Sequence, residues 1–573
     1  MSKVMRFFQT GIPKFYKVVV ASLFWLILFF LAFLSIFGTC FMDVNEKTYF
    51  CSDSVWLNVC AVLVVLLLFI GAKIFRPISV RLKKLEENNA MFLRCRRILL
   101  TVLFLLGLIW VLATQYNAIS DQYGVQSAAY GIKTEEYSSF ELGGYISTYP
   151  NQFGLMWISY LFAIIFGSYN YIAFQIMNVF GLVLLYRELS EIGRCFGWNK
   201  CIQLLTIVVG ILFFPPIMYC SFVYGNIMGL AFSVLAIRLE FVYFQKHRPF
   251  YAVGSAASIM VAMLFKSNYL IFFIGMFLYA VVEIIAQKKW KAFLLPLLLV
   301  VAFFLQSWAP MAIARQVTGE KLDQSASSWS WIAMGLQSDS QLAPGWYNLY
   351  NQESYNESGY NTQRQTEMAK ANIAESLHYF WNHKGAAVKF FTEKTASQWN
   401  NPTFQCYWIT VGHEKLSLME QSEWVEDFTS PSGAYHGALY LNLLQFIILF
   451  GVLIYCIVFW KKPGYSKSLL LGMIFVGGFL FHLVWEAKGQ YTLSYFVLLI
   501  PLAVAGFSRL TDQILLLGRK KYRAAVPKKM KRNKNSLILF SALTVIMIFA
   551  FVICYAGGRG AYLTEDTGAY QQY

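Results

Sequence analysis

Charge is what this sequence has least of. Asp, Glu, Lys and Arg make up only 13% of its 573 residues, about half the share of a soluble domain, and that excludes an ordinary water-soluble fold. Histidine is scarce as well. The six are dispersed, and neither His-Glu-x-x-His nor Cys-x-x-Cys occurs, so no metal cluster can be read. A Gly-rich phosphate loop and a Gly-x-Ser-x-Gly elbow are also missing, which removes the signatures of nucleotide binding and serine hydrolysis. The ten cysteines scatter, mostly inside apolar runs where packing is their default role. Only Cys40 and Cys51 share a polar loop in which a disulfide is feasible. No internal repeat is visible, and no pair of inverted halves of the kind many transporters carry.

What the chain does have is apolar length. Hydrophobic residues reach 58%, aromatics 18%, and the mean hydropathy is +0.51. Runs near 20 residues recur, each long enough to cross ~30 Å of hydrocarbon. Without water to satisfy backbone groups there, such runs must be helical. The hydropathy predicts spans near 18–38, 55–73, 98–116, 170–186, 202–218, 222–241, 251–265, 268–286, 291–311, 437–459, 468–485, 492–507 and 537–556. The first follows basic residues and reads as a retained span rather than a cleaved leader.

Charge gives these spans a direction. With a cytoplasmic N-terminus, the alternate loops on the inner side hold 34 of the 47 basic residues and 7 of the 30 acids. That is the bias expected of loops facing anionic lipid, so the net charge of +17 is topological and does not mark a nucleic-acid site. The split survives only if 153–167 does not cross. A span there would put Arg187, Arg194 and Lys200 outside, so this stretch is predicted to lie at the outer interface. The expected fold is an all-α polytopic membrane protein of about 13 transmembrane helices. It divides into a two-span N-terminal addition (1–97), a transmembrane module (98–311) with a first outer loop (117–169), an extracytoplasmic loop domain (312–436) and C-terminal helices (437–573). The basic stretch 519–534 reads as a lipid-surface contact.

The outer side carries the polar residues worth weighing. Trp329, Trp331, Trp346, Trp381, Trp399, Trp408 and Trp424 fall in 312–436; they suit an interfacial belt and a small core first, and sugar stacking second. Asp121 follows the third span within a few residues. A carboxylate at the membrane edge can serve as general base on a hydroxyl, or simply cap a helix. Then come Tyr149-Pro150-Asn151-Gln152, the turn from Phe214 to Tyr224-Gly225-Asn226, and the hairpin Lys266-Ser267-Asn268. Lys266 opposes the outer-side charge bias, which suits a lipid-linked phosphate partner, although snorkelling explains it too. The last is Trp485-Glu486-Ala487-Lys488-Gly489-Gln490-Tyr491, where Glu486 and Lys488 are able to pair with each other. All five turns fall on one side of the membrane under a topology drawn from charge.

These residues carry a resemblance. A span feeding a long outer loop that opens on an acid, followed by interfacial helices and alternating spans, resembles the GT-C glycosyltransferases. It is most similar to bacterial protein-mannosyltransferase-like enzymes of glycosyltransferase family 39. The echoes are Ser120-Asp121-Gln122 through Ala128, Tyr149-Pro150-Asn151-Gln152 with Gly154, Tyr224-Gly225-Asn226, Lys266-Ser267-Asn268, and Trp485 to Pro501. The resemblance implies a GT-C-like bundle with outer-face juxtamembrane helices, in a bacterial plasma membrane. It implies transfer of a sugar from a polyprenyl-phosphate donor to an extracytoplasmic glycan, lipid or protein acceptor, with Asp121 in the catalytic carboxylate's position. Lys266 and Lys488 then suit the donor phosphate. Gln122, Tyr149, Asn151, Tyr224, Asn226, Asn268, Glu486, Gln490 and Tyr491 suit the substrates. Many members have paired acids where Asp121-Gln122 stands, and an acid at Asn226; no metal ligand set carries over, and a divalent metal stays open. Two other readings compete. A flippase or solute transporter would usually bury ionisable residues at mid-membrane, whereas Glu240 and Glu283 fall near inner ends. A polysaccharide polymerase or ligase would lean on outer arginines, of which the outer segments hold only Arg315, Arg364 and Arg559.

Overall fold

The structure, a computed structural model, describes residues 3–42, 46–288, 290–338, 342–411, 421–462 and 464–518. The expected span 537–556, the basic stretch 519–534 and Arg559 lie outside the described residues. Among the described residues, ten helices are long and apolar enough to cross a membrane, eleven if one bent pair counts as a span. The chain is an all-α polytopic membrane protein, apart from one short β-ribbon.

Helix α1 (Lys3–Phe37) leads into that ribbon, β1 (Gly38–Met42) against β2 (Thr48–Ser52). Ser54 caps α2 (Val55–Ile74) by accepting from the Leu57 amide. A short α3 (Arg76–Glu87) turns the chain into α4 (Asn89–Thr114), and α5 (Ser120–Thr134) follows it. After α6 (Tyr145–Thr148) comes α7 (Phe153–Phe166), the stretch predicted to lie at the interface. At 14 residues it is short for a span, and it leads from and back to the same end of the bundle. Gly154 packs on the Leu264 carbonyl, Lys133 at the end of α5 reaches the Ala163 carbonyl, and α8 (Tyr171–Cys195) starts from the same end, where Gln175 donates to the Tyr116 carbonyl.

Helices α9 (Lys200–Leu212) and α10 (Pro215–Met218) form the bent pair, broken by 64° at the two prolines, whose missing N–H groups cannot continue a helix. Next are α11 (Asn226–Lys246), α12 (Pro249–Phe265), α13 (Leu270–Gln287) and α14 (Leu294–Thr318). At 17 residues α12 is about 25 Å long, short for a span. Outside the bundle lie α15 (Ser328–Gly335), α16 (Tyr350–Glu357), α17 (Thr362–Asn382), α18 (Lys384–Trp399), α19 (Cys406–Val411) and α20 (Glu423–Thr429). The chain then returns through α21 (Pro431–Phe459), α22 (Tyr465–Val484), α23 (Gly489–Val497) and α24 (Ile500–Gly518). The expected span 492–507 therefore shifts C-terminally. A turn at Leu498–Leu499 precedes Pro501, which suits only the first turn of a new helix.

Lipid tails are as apolar as the side chains they touch, so packing rather than hydrophobicity holds the helices together. Gly506 of α24 meets Gly451 of α21 so closely that a Cβ would stand 2.2 Å from the Gly451 carbonyl oxygen. Helix α1 is embedded rather than peripheral: Phe24 is buried edge-on against Phe475, 5.7 Å away. The two ends of the bundle differ in chemistry. One end gathers ion pairs: Lys73 with Asp512 at 2.8 Å, Arg96 with Glu191, and Arg238 with Glu188. There the Glu86 carboxylate also accepts from the Lys200 and Cys201 amides at the start of α9. Asp512, Glu188 and Glu191, expected on the inner side, are thus bound up in structural pairs. At the other end stand the five polar turns. In the ribbon, Cys40 faces Phe50 and Cys51 faces Thr39. Neighbouring ladder positions send their side chains to opposite faces, an arrangement that does not suit the disulfide their spacing allowed.

Candidate active site

Asp121 opens α5. Behind it, Gln122 is buried and accepts from the Val223 amide at 2.8 Å, so its role is to bind α5 to the loop before α11. That tie sets Tyr224 beside Asp121. The Tyr224 hydroxyl donates to Oδ2 at 3.3 Å, and the Tyr145 hydroxyl to Oδ1 at 3.2 Å. Burial, with the nearby Asp121 charge adding to it, raises the pKa of both phenols, which keeps them protonated as donors. The Asp121 side chain remains exposed, and two fixed donors aim its oxygens. The Gln152 amide also bonds Tyr224. Its neighbour Asn151 lies exposed on the 3-10 turn.

Lys266 ends α12 in an extended conformation. Its ammonium donates to Asn226 Oδ1 at 2.7 Å and stands over the rings of Tyr224 (4.7 Å) and Tyr491 (5.5 Å). Burial brings its pKa down to about 7, although Asp121 and Glu486 favour its charge. Asn226 is itself buried in the first turn of α11, its carbonyl taking the Tyr269 hydroxyl at 2.5 Å. Asn268, Gln490 and Ser494 join Asn226, Lys266 and Tyr491 around a narrow cleft between the α12–α13 turn and α23.

The turn after α22 supplies the rest. Glu486 is buried, with the Tyr491 hydroxyl 3.4 Å from its carboxylate. Burial pushes its pKa up to about 7; Lys488 opposes the shift, and Asp121 and Glu46 add to it. Lys488 makes its salt bridge to Glu46 at 3.3 Å rather than to Glu486, with which it was able to pair, and lies over the rings of Tyr347 (5.2 Å) and Trp408 (5.5 Å). Ala487 donates its amide to the Gly345 carbonyl at 2.8 Å, binding this turn to the segment outside the bundle. Lys394 of α18, fully buried, donates to the Trp485 carbonyl at 2.7 Å and to the Gly335 carbonyl.

Nine of the residues singled out in the sequence thus form one connected group: Asp121, Tyr224, Asn226, Lys266, Asn268, Glu486, Lys488, Gln490 and Tyr491. Tyr149 sits at its aromatic edge, 5.2 Å from the Tyr145 ring and 6.1 Å from Trp331, which stacks on Trp485 at 6.1 Å. Gln122 is structural, and Asn151 stands apart. Of the outer tryptophans, Trp346 and Trp399 are core residues, whereas Trp329, Trp381 and Trp424 are exposed. Sequence reasoning missed Glu46, Tyr145, Tyr347 and Lys394. Lys394 left a signal, since it is another lysine in a segment expected on the outer side. Among the described residues no three His, Cys, Asp or Glu side chains gather to hold a metal, and the positive charge near Asp121 comes from lysines, so the residues present do not fit a divalent metal. No protein-family model and no curated protein matches this chain.

Proposed function

We propose that this protein is a membrane glycosyltransferase of the GT-C type, transferring a sugar from a polyprenyl-phosphate donor to an extracytoplasmic acceptor. In this reading it sits in a bacterial plasma membrane with thirteen spans and a cytoplasmic N-terminus, and the site faces outward. The observation that carries the proposal is the pairing of an exposed, doubly held carboxylate, Asp121, with Lys266 through the single side chain of Tyr224. A base and a cation at membrane level are what this chemistry requires.

Asp121 accepts the proton of the acceptor hydroxyl as that oxygen forms its bond to the anomeric carbon. The bond from that carbon to the phosphate oxygen breaks, and its electron pair leaves with polyprenyl phosphate. A phosphate leaves without protonation, so one carboxylate suffices where a glycosidase needs two. Lysine ammonium groups stabilise the charge that develops. Lys266 gains most, because an arriving phosphate favours the protonated form that burial disfavours. Trp331 and Trp485 offer faces for sugar C–H groups. Asp121→Asn keeps one tyrosine contact, reverses the direction of the other and removes the base. Transfer from a labelled polyprenyl-phosphate sugar should fall ~10²–10⁴-fold with the thermal midpoint unchanged; transfer at the wild-type rate would refute the assignment.

A polymerase or ligase shares this donor class and differs in acceptor, which product analysis separates. A transporter reading draws on Glu240, fully enclosed in α11, whose carboxylate oxygens have no hydrogen-bond partner among the described residues. Flux of the lipid-linked sugar across proteoliposomes without transfer would favour it.

A further inference from the structure

The ribbon between α1 and α2 reaches the site. It is held to the frame at its base: the Cys40 amide donates to the Asn400 carbonyl at 3.1 Å, and the Asn400 amide returns a bond to the Gly38 carbonyl at 2.7 Å. Asp53 just beyond β2 takes bonds from Thr39 and Asn58, both at 3.1 Å, and from Asn442 of α21. At the other end of the ribbon stands Glu46. One of its oxygens accepts from Lys488 at 3.3 Å and from Gln405 at 3.2 Å. Gln405 in turn accepts the Gln490 amide at 2.8 Å, closing a loop of contacts around the turn 488–490.

Two partly buried lysines of the site have different partners. Lys266 bonds the neutral Asn226, and its pKa falls to about 7. Lys488 faces Glu46 from the ribbon, Glu486 from its own segment, Asp121 from α5 and Lys266 from the α12–α13 turn, with the Tyr347 and Trp408 rings against it. Burial works against its charge too, yet Glu46 first, then Glu486 and Asp121, carry its pKa above the ordinary value.

From this geometry we infer that Glu46 is a positioning residue: it holds the Lys488 ammonium charged and aimed into the site, which makes the ribbon and its two helices part of the donor-phosphate subsite. The inference rests on the function proposed above for its ligand, but not for the Glu46–Lys488 coupling.

The test uses the full chain in nanodiscs, as wild type, Glu46→Gln, Glu46→Asp and Lys488→Met. Lys488 acylation by acetic anhydride is followed across pH by mass spectrometry, and polyprenyl-phosphate binding is measured in parallel. In Glu46→Gln the labelling midpoint should move down by about one pH unit or more. Binding should weaken several-fold at about pH 10.5, where the variant has lost most of the Lys488 charge and wild type has not, while staying near wild type at about pH 6.5. Glu46→Asp should recover most of both effects, and Lys488→Met should bind weakly at every pH. An unchanged midpoint in Glu46→Gln overturns the inference whatever the binding shows. A shifted midpoint with binding equal to wild type at every pH overturns the role in the phosphate subsite. A wild type that binds no polyprenyl phosphate removes the function proposed above, while the midpoint still decides whether Glu46 controls Lys488.

Discussion

Replacing Lys394 with Met should cost more stability in alkali than at neutrality. The side chain is fully buried, and its amine donates to two backbone carbonyls, those of Trp485 and Gly335. A neutral amine has two N–H groups, enough for both, and burial accordingly lowers its pKa from 10.5 to about 7. Between those two values the unfolded chain binds a proton that the folded chain does not, so stability rises with pH through the window. Over its full width the linkage amounts to roughly 5 kcal/mol as an upper bound. Met fills the volume but leaves two carbonyls without a donor, at about 1–3 kcal/mol each. Near pH 7 the variant also escapes the unfavourable transfer of a lysine that is charged when unfolded, and the two effects largely offset. At pH 9.5 the lost hydrogen bonds dominate. Thermal midpoints from intrinsic tryptophan fluorescence, taken in one detergent at pH 7.0 and 9.5, should therefore show a small gap from wild type at the lower pH and a clearly larger one at the higher. Equal gaps at both values would refute the reasoning, since they would mean that Lys394 is charged in both states.

Two further expectations concern the site directly. Gly225 has a φ of +76° just before α11, and a Cβ there would stand 2.2 Å from the Phe265 carbonyl oxygen. Gly225→Ala should therefore cost on the order of 3 kcal/mol, beyond the ~1 kcal/mol of the left-handed conformation alone, and lower the thermal midpoint measurably; an unchanged midpoint would show that this contact relaxes freely. Lys266, whose pKa lies near 7, is charged below that value and neutral above it. Polyprenyl-phosphate binding should weaken as pH rises from 6 to 8.5, and Lys266→Met should flatten that dependence; a profile of the same slope in the variant would assign the titration to another group.

Much of the fold was legible because both of its signals are local. Apolar runs declare helices, and the Lys and Arg bias declares which ends belong together. The bias kept 153–167 from being counted as a span, and in the structure α7 returns the chain to the end from which it started. The errors are local too. Proline explains both the bend at Pro215-Pro216 and the displaced start of α24, where hydropathy alone runs on through the break. The ribbon register, and with it the fate of Cys40 and Cys51, depends on pairing that no hydropathy window contains.

The site was legible one side chain at a time, and its electrostatics were not. Asp121, Lys266 and Lys488 each stand out against an apolar background, but what each can do is set by partners far along the chain. Lys488 meets Glu46 across 442 residues, and Lys266 meets Asn226 across 40. Two lysines that look alike in the sequence become different reagents: one is held charged by a carboxylate, and the other is poised near neutrality beside an amide. A transfer that creates a phosphate charge has use for both. In the proposed reaction the lysine held charged would draw an anionic donor in, and the poised one would gain charge as a phosphate arrives to stabilise it. Glu486 extends the same logic. Burial pushes its pKa up to about 7, and an acid that can take up a proton near neutrality relieves the repulsion that a full charge would impose on Asp121 and, in the proposed reaction, on a phosphate. The turn Glu486-Ala487-Lys488 thus brings a neutralisable acid and a fixed cation to the same anion, and the ribbon between the first two helices supplies the carboxylate that keeps the cation fixed.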